Sequence, residues 1–189
     1  MRLTIKPFLL LFFLALPFSG ALADEYEDTI KVFKNAGKSG TFFSNSHGYA
    51  VFPTIGKGGI GIGAAHGSGR VYEQGKYVGD TTMNQLSIGL QLGGQAYSQI
   101  VFFQDKRSFD EFTSGNFEFS ADANAVAITA GASASASTEG SSAGASGGKN
   151  DATTAGNYHK GMAVFTVAKG GLMYQAVLAG QKYKYKPNK

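Results

Sequence analysis

The chain has 189 residues, with 17 Lys and Arg against 13 Asp and Glu for a formal charge of +4, 27 glycines, and neither cysteine nor tryptophan. The lack of cysteine excludes disulfides, thiolate metal ligands, a cysteine nucleophile and a lipid-modified N-terminal cysteine. The modest charge, spread without a dense Arg cluster, asks for no nucleic acid.

Residues 1–23 read as a signal peptide. Arg2 and Lys6 form a positive start, Phe8 to Leu16 an apolar run, Pro17 breaks it, and Ala21-Leu22-Ala23 supplies a small-x-small cleavage pattern. The run falls well short of the about 20 residues a spanning helix needs. Cleavage near Ala23 removes Arg2 and Lys6, so the net charge drops from +4 to +2. The remaining chain is expected to be exported, periplasmic or associated with the cell envelope.

Asp24 to Ala36 reads as a short amphipathic helix. Tyr26, Ile30 and Phe33 share one face, acidic residues crowd the N-terminal end, and Lys31 and Lys34 lie in the C-terminal half, in the order the helix dipole favours. Gly37 is expected to stop it. Two readings stand for this helix: docked on a sheet, or lying on a membrane with Lys31, Lys34 and Lys38 at the headgroups.

Phe42 and Phe43 lead into Gly48-Tyr49-Ala50-Val51-Phe52, followed by a glycine-rich run to Gly63. Glycine alternates there with Ile60 and Ile62, a period-2 pattern that predicts a strand with one apolar face. Glycines at that density cost a helix roughly 0.8–1 kcal/mol each. The unit is partly repeated at Gly161-Met162-Ala163-Val164-Phe165, and each copy reaches a Lys-Gly-Gly, at Lys57 and at Lys169.

Between the copies, Arg70 to Glu73 faces Lys76 to Val78 across Gln74-Gly75, a hairpin that pairs Tyr72 with Tyr77. Thr81 to Gln85 is polar. Ile88, Leu90 and Leu92 then alternate as a half-buried strand, and Ala96 to Phe103 forms a second, richly apolar one. Asp105 reads as the N-cap of a helix over 106–114 that buries Phe109 and Phe112 and ends at Gly115. Phe117 and Phe119 alternate as another strand, and Val126 and Ile128 continue the pattern. Residues 131–156, almost all Ala, Ser, Gly and Thr, read as a flexible loop. Lys182, Lys184 and Lys186 alternate with Tyr183 and Tyr185, so the last strand carries lysines on one face and tyrosines on the other.

Three literal matches to enzyme or metal motifs lack their context. Gly56-Lys57-Gly58-Gly59-Ile60-Gly61 fits a dinucleotide fingerprint, but the following glycines forbid the helix it must open. Gly144-Ala145-Ser146-Gly147-Gly148 fits a nucleophile elbow without the flanking strand and helix. His47, His66 and His159 show no metal-ligand spacing. No catalytic residue, metal site or cofactor is expected. Lysine beside Gly-Gly, in contrast, puts an ammonium next to unhindered backbone N–H groups, a form suited to an anion.

The blocks Gly48-Tyr49-Ala50-Val51-Phe52-Pro53, Gly69-Arg70-Val71-Tyr72, Gly75-Lys76-Tyr77-Val78-Gly79, Gly89-Leu90-Gln91-Leu92-Gly93-Gly94-Gln95, Phe112-Thr113-Ser114-Gly115-Asn116-Phe117, Ala121-Asp122-Ala123 and Lys169-Gly170-Gly171-Leu172 resemble the SYLF lipid-binding domain family over roughly 43–180. The resemblance implies a β-rich domain with a flanking helix, no known enzymatic activity and membrane-lipid binding, with phosphoinositides and in some cases actin bound by eukaryotic members. Its bacterial members are exported envelope proteins. Where many members carry a Gly-Pro-Val-Gly-Arg-like segment, this chain has Val126-Ala127-Ile128-Thr129-Ala130-Gly131.

The expected fold is mainly β within the α+β class: an antiparallel barrel-like or sandwich sheet with a short N-terminal helix and one short internal helix. Residues 24–42 form the helical segment and 43–189 the β-rich domain. The expected function is non-catalytic binding of an anionic phospholipid surface, with phosphoinositide-like headgroups, through Lys57, Lys169, Lys182, Lys184 and Lys186, joined by Lys31 and Lys34. A different class, an envelope structural module whose glycine-rich strands pair with a partner protein, is the alternative. A small outer-membrane barrel is a third reading, weakened by the charged Asp105-Lys106-Arg107 and the helix after it.

Overall fold

Two strands far longer than usual dominate the structure. β1 (Gly48–Glu73) and β2 (Lys76–Phe103) form one antiparallel hairpin that pairs from Glu73↔Lys76 at the turn to Gly48↔Phe103 at the open end. The computed structural model describes residues 21–119, 125–128, 157–169, 178 and 180–189. The signal-peptide run up to residue 20, the 131–156 tract, Gly170-Gly171 and the nucleophile-like match at Gly144–Gly148 lie outside them.

The turn forms as its sequence predicts. Gln74 and Gly75 both take positive φ, 48° and 79°, the pair of left-handed residues a two-residue hairpin needs to match the strand twist. Tyr72 pairs with Tyr77, their ring centroids 6.0 Å apart.

Where the sequence suggested separate strands broken at the glycines, the strands run on and the hairpin bends instead. The backbone of β1 folds back until its ends meet, with Gln74 N donating to His47 O at 3.1 Å. Inward-facing glycines allow this approach. A Cβ on Gly69 would sit 2.6 Å from the Phe52 ring and 2.8 Å from Val51 O, and one on Gly67 would sit 2.6 Å from Ile55 Cγ1. The bend lies in the glycine-rich stretch, where Gly58↔Gly94 and Gly59↔Gly93 face each other and a register shift falls between Ile60 and Ile62.

The bent hairpin makes two layers. In the first, the late half of β2 is flanked by the early half of β1 and by β5 (Met162–Ala168), which pairs in parallel with β4 (Ala125–Ile128). In the second, the early half of β2 is flanked by the late half of β1 and by β6 (Gln181–Pro187), which pairs with β3 (Asn116–Glu118). The fold is mainly β as expected. Its pairing is antiparallel except for β4 with β5.

The inner core between the layers holds Phe52, Ile55, Met83, Val101, Phe103, Val164 and Tyr183. Gln99 ties the layers together: its Nε2 donates to the Tyr183 hydroxyl at 2.6 Å and to Gln181 Oε1 at 3.2 Å, all of it buried. The helix α4 (Lys106–Thr113) presses Phe109 and Phe112 into this core, and its first turn is capped reciprocally by Asp105 and Ser108, with Ser108 N donating to Asp105 Oδ1 at 2.8 Å.

A second core covers the outer side of the first layer. Ile30 and Phe33 from α1 (Ala21–Asn35) pack there with Val51, Ile100, Phe102 and Phe165. The helix is docked on the sheet, the first of the two readings of its sequence. It ends because Ala36 turns extended (φ −81°, ψ 110°), whereas Gly37, the expected stop, begins a further turn. Two single-turn helices, α2 (Gly37–Gly40) and α3 (Phe42–Asn45), go beyond the single N-terminal helix expected. Phe42 and Phe43 of α3 pack on Phe165 and Phe102, at centroid distances of 5.0 and 4.9 Å.

Candidate functional site

The two Gly-x-Ala-Val-Phe copies flank the same strand, and there their equivalence stops. Tyr49 pairs with Phe102, while Met162, its counterpart in the second copy, pairs with Phe103. Side chains alternate across a strand, so this offset of one residue turns each copy to the opposite face. Phe52 accordingly enters the inner core and Phe165 the outer one.

A register shift between Phe52 and Ile55 separates two of the lysines expected to act together. Lys57 follows Ile55 of the inner core at the same parity, opposite Gln95, whereas Lys169 follows Val167 of the outer core. Lys57 and Lys169 therefore do not form one basic surface. Lys57 is half-buried, and burial pushes its ammonium below the usual value.

Lys169 is committed to holding α1. Its Nζ donates to Glu25 Oε1 at 3.0 Å and to Thr54 Oγ1 at 2.8 Å, and the Thr54 hydroxyl donates to Glu25 Oε1 at 2.8 Å. Hydrogen bonds from Thr54 and then Lys169 hold the Glu25 carboxyl below the ordinary glutamate value. On α1 itself, Lys31 pairs with Asp28 at 3.1 Å, and Lys34 lies 5.3 Å from the centre of the Phe43 ring. The apolar face of that helix is occupied by the sheet.

The lysines of β6 do share one face. Gln181 and Tyr183 are buried, and Lys182, Lys184 and Lys186 are exposed. They extend the outer face of the second layer, beside Asn84, Thr82 and Asp80 of β2, which in turn lie beside His66, Ser68 and Arg70 of β1. No helix of the described residues covers this face as α1 covers the first layer. Lys182 meets Glu118 of β3 at 3.5 Å, and Arg70 stacks 4.3 Å from the Tyr26 ring centre. Asp80 accepts from the Tyr77 hydroxyl at 2.8 Å. Among the described residues, Lys184 and Lys186 make no ion pair.

The same face carries two apolar residues: Leu86, which reading the sequence did not single out, and Ile62, which the sequence placed with Ile60 on an apolar face. Ile62 and Leu86 are 68% and 78% exposed. Both follow the polar parity of their strands: Leu86 comes after Asp80, Thr82 and Asn84, and Ile62 precedes Ala64, His66 and Ser68. That parity was the available signal for Leu86. For Ile62 it was hidden, because the register shift between Phe52 and Ile55 moves the inner face of β1 from even to odd residues and so turns Ile62 outward.

The motif matches resolve on the backbone. Residues 56–61 are strand throughout, so no helix opens at the dinucleotide-like glycines. His47 Nε2 meets Glu73 Oε1 at 2.9 Å and His66 Nδ1 meets Asn84 Oδ1 at 2.8 Å. Among the described residues no three His or acidic groups converge as a metal site, and no helix is long and apolar enough to cross a membrane.

Comparison with known proteins places the chain. It is 27% identical over 158 residues to Beta cell expansion factor A of Aeromonas veronii, an alignment covering 82% of this chain and 51% of that protein. The chain thus spans about half the length of this curated relative. A family model described as Ysc84, Las17-binding protein actin regulator, matches residues 84–185, from the middle of β2 through β6. The matched span is more than half the chain and includes the lysine-bearing strand, and so the protein belongs to the Ysc84 family, the SYLF domains.

Proposed function

We propose that the protein is an exported, non-catalytic module that binds the surface of anionic phospholipid membranes in the periplasm or cell envelope, with phosphoinositide-like headgroups as one form of its ligand. Membership of a family associated with lipid and actin binding supports the class of ligand. The observation that carries the reading is the outer face of the second layer, where Lys184 and Lys186 make no ion pair among the described residues, Lys186 lying in register with Asp80, and Lys182 meets Glu118. Each basic residue near an anionic bilayer contributes about 1 kcal/mol, an attraction screened over a Debye length.

This face narrows the seven lysines read from sequence. Lys182, Lys184 and Lys186 make the contact, while Lys169, Lys31 and Lys34 belong to the docking and surface of α1. Lys57 sits at the bend on the inner face and adds at most a nearby charge. The glycine-rich strands of the alternative reading are already hydrogen-bonded to each other along one edge, which favours the lipid surface over strand pairing with a partner.

Vesicle flotation with neutral and anionic lipids, at low and high salt, tests the reading. Binding is expected only to anionic vesicles and only at low salt. The Lys182→Ala/Lys184→Ala/Lys186→Ala variant should bind roughly a hundredfold more weakly, at about 1 kcal/mol per lysine. Equal binding to neutral vesicles, or none under any condition, would overturn it.

A further inference from the structure

The outer face of the second layer is basic along β6 and apolar towards the bend, and this polarity assigns it an orientation. Lys182 pairs with Asn84, so Leu86, two residues further along β2, continues the face beyond the last lysine. Leu86 is flanked by Ala64 on β1, and its backbone carbonyl lies 3.8 Å from where a Cβ on Gly180 would be. Among the described residues, its neighbours across the sheet are a methyl group and a glycine. Ile62, two residues from Ala64 on the same face, stands beside it, and both side chains are more than two-thirds exposed.

Leaving an aliphatic pair in water costs free energy relative to covering it. The first layer covers its outer face with α1, whose Ile30 and Phe33 are buried there, and the second layer has no such helix among the described residues. What lies next to the pair is a stripe of three lysines spanning about 13 Å at the strand rise. A protein partner's apolar core is typically depleted of charge, whereas an anionic bilayer offers phosphates and acyl chains within a few ångströms of each other.

We propose that Ile62 and Leu86 form an insertion crest that enters the headgroup–acyl boundary of an anionic bilayer while Lys182, Lys184 and Lys186 rest on its phosphates. The inference rests on the anionic-membrane reading above and adds the docking face and its tilt: the glycine-rich bend points into the membrane, and Arg70, where Tyr26 of α1 meets this face, lies at the opposite end of the lysine stripe from Leu86. Lysine stems suit this geometry, since they lie along apolar surface while the ammonium stays in water.

The chain contains no tryptophan, so one introduced indole reports alone. Leu86→Trp and, separately, Ile62→Trp place it on the crest, and Val32→Trp places it on α1, where Val32 is 46% exposed. With phosphatidylglycerol-containing vesicles, the crest variants are expected to shift their emission to the blue and to be quenched by bromine on the upper acyl chain. The α1 variant should show neither. The Ile62→Ser/Leu86→Ser variant should lose about tenfold in partitioning at a salt concentration where the lysines are screened little.

The outcomes separate the two claims. If the wild-type protein floats with anionic vesicles but both crest indoles stay water-exposed, or only the Val32→Trp indole is quenched, the insertion crest is overturned and the membrane reading stands. If the wild-type protein floats with none, the membrane reading falls and the crest with it. Quenching of the crest with unaltered flotation of the double serine variant would also overturn it, because contact would then carry no affinity.

Discussion

Gly69 has a narrower tolerance than its composition-rich neighbourhood suggests. The added methyl of Gly69→Ala would meet both the Phe52 ring and the Val51 carbonyl, at 2.6 and 2.8 Å, and the carbonyl belongs to backbone that the ladder holds in place. Overpacking of that kind costs about 1–3 kcal/mol. Gly56→Ala, with nothing within 4 Å of the new Cβ, should be neutral or slightly stabilising by chemical denaturation, so the pair of variants distinguishes close approach from glycine content. A similar contrast holds for the lysines: Lys169 and Lys184 look alike as sequence, yet one is bound to Glu25 and Thr54 and the other is exposed on a strand face.

At the scale of elements, the docking of α1 is tied to pH through Glu25. Its carboxyl titrates below the usual 4.5 in the folded protein, so the ionised form is favoured by folding. The stabilisation is therefore present above about pH 4.5 and is lost as pH falls through the lower folded value. The pair is partly exposed, which limits its worth to a few tenths up to about 1 kcal/mol. Amide exchange in α1 should accelerate below pH 4.5 relative to β2, and Glu25→Gln should remove most of that difference; equal pH dependence in the variant would disprove the latch. Elements built from local signals were legible in the sequence. The Gln74-Gly75 turn and the Asp105-capped helix each depend on residues within four positions of one another. The ends of the N-terminal helices and the face of Ile62 were not, because one depends on packing against Phe165 and Phe102 and the other on a register shift across to β2.

The whole molecule rests on one hairpin shared by both layers, and that is why its architecture exceeded what the sequence disclosed. Period-2 patterning announced the strands and the mainly β class. The bend, however, exists only through contacts between residues far apart along β1, such as Gly67 with Ile55 and Gly69 with Phe52. The lysine and tyrosine faces of β6 were legible because alternation alone decides them. The grouping of Lys57 with Lys169 failed because a repeat in sequence says nothing of register. The polar outer face of the second layer, with Ser68, Asp80 and Thr82, is also the reverse of the lipid-facing exterior of a transmembrane barrel. The single turn at Gln74-Gly75 has a further consequence, for the order of folding. Pairing that begins at Glu73↔Lys76 closes the shortest loop in the hairpin, and each later pair closes on one already made, out to Gly48↔Phe103. The chain should zip from this turn, and β5 and β6 should join a hairpin already formed. In stopped-flow experiments Gly75→Ala, which forces alanine to a φ of 79°, should slow folding by a factor set by about 1 kcal/mol. Ile100→Val, near the open end, should leave the folding rate almost unchanged and speed unfolding, so that time rather than space separates the two ends of the same ladder.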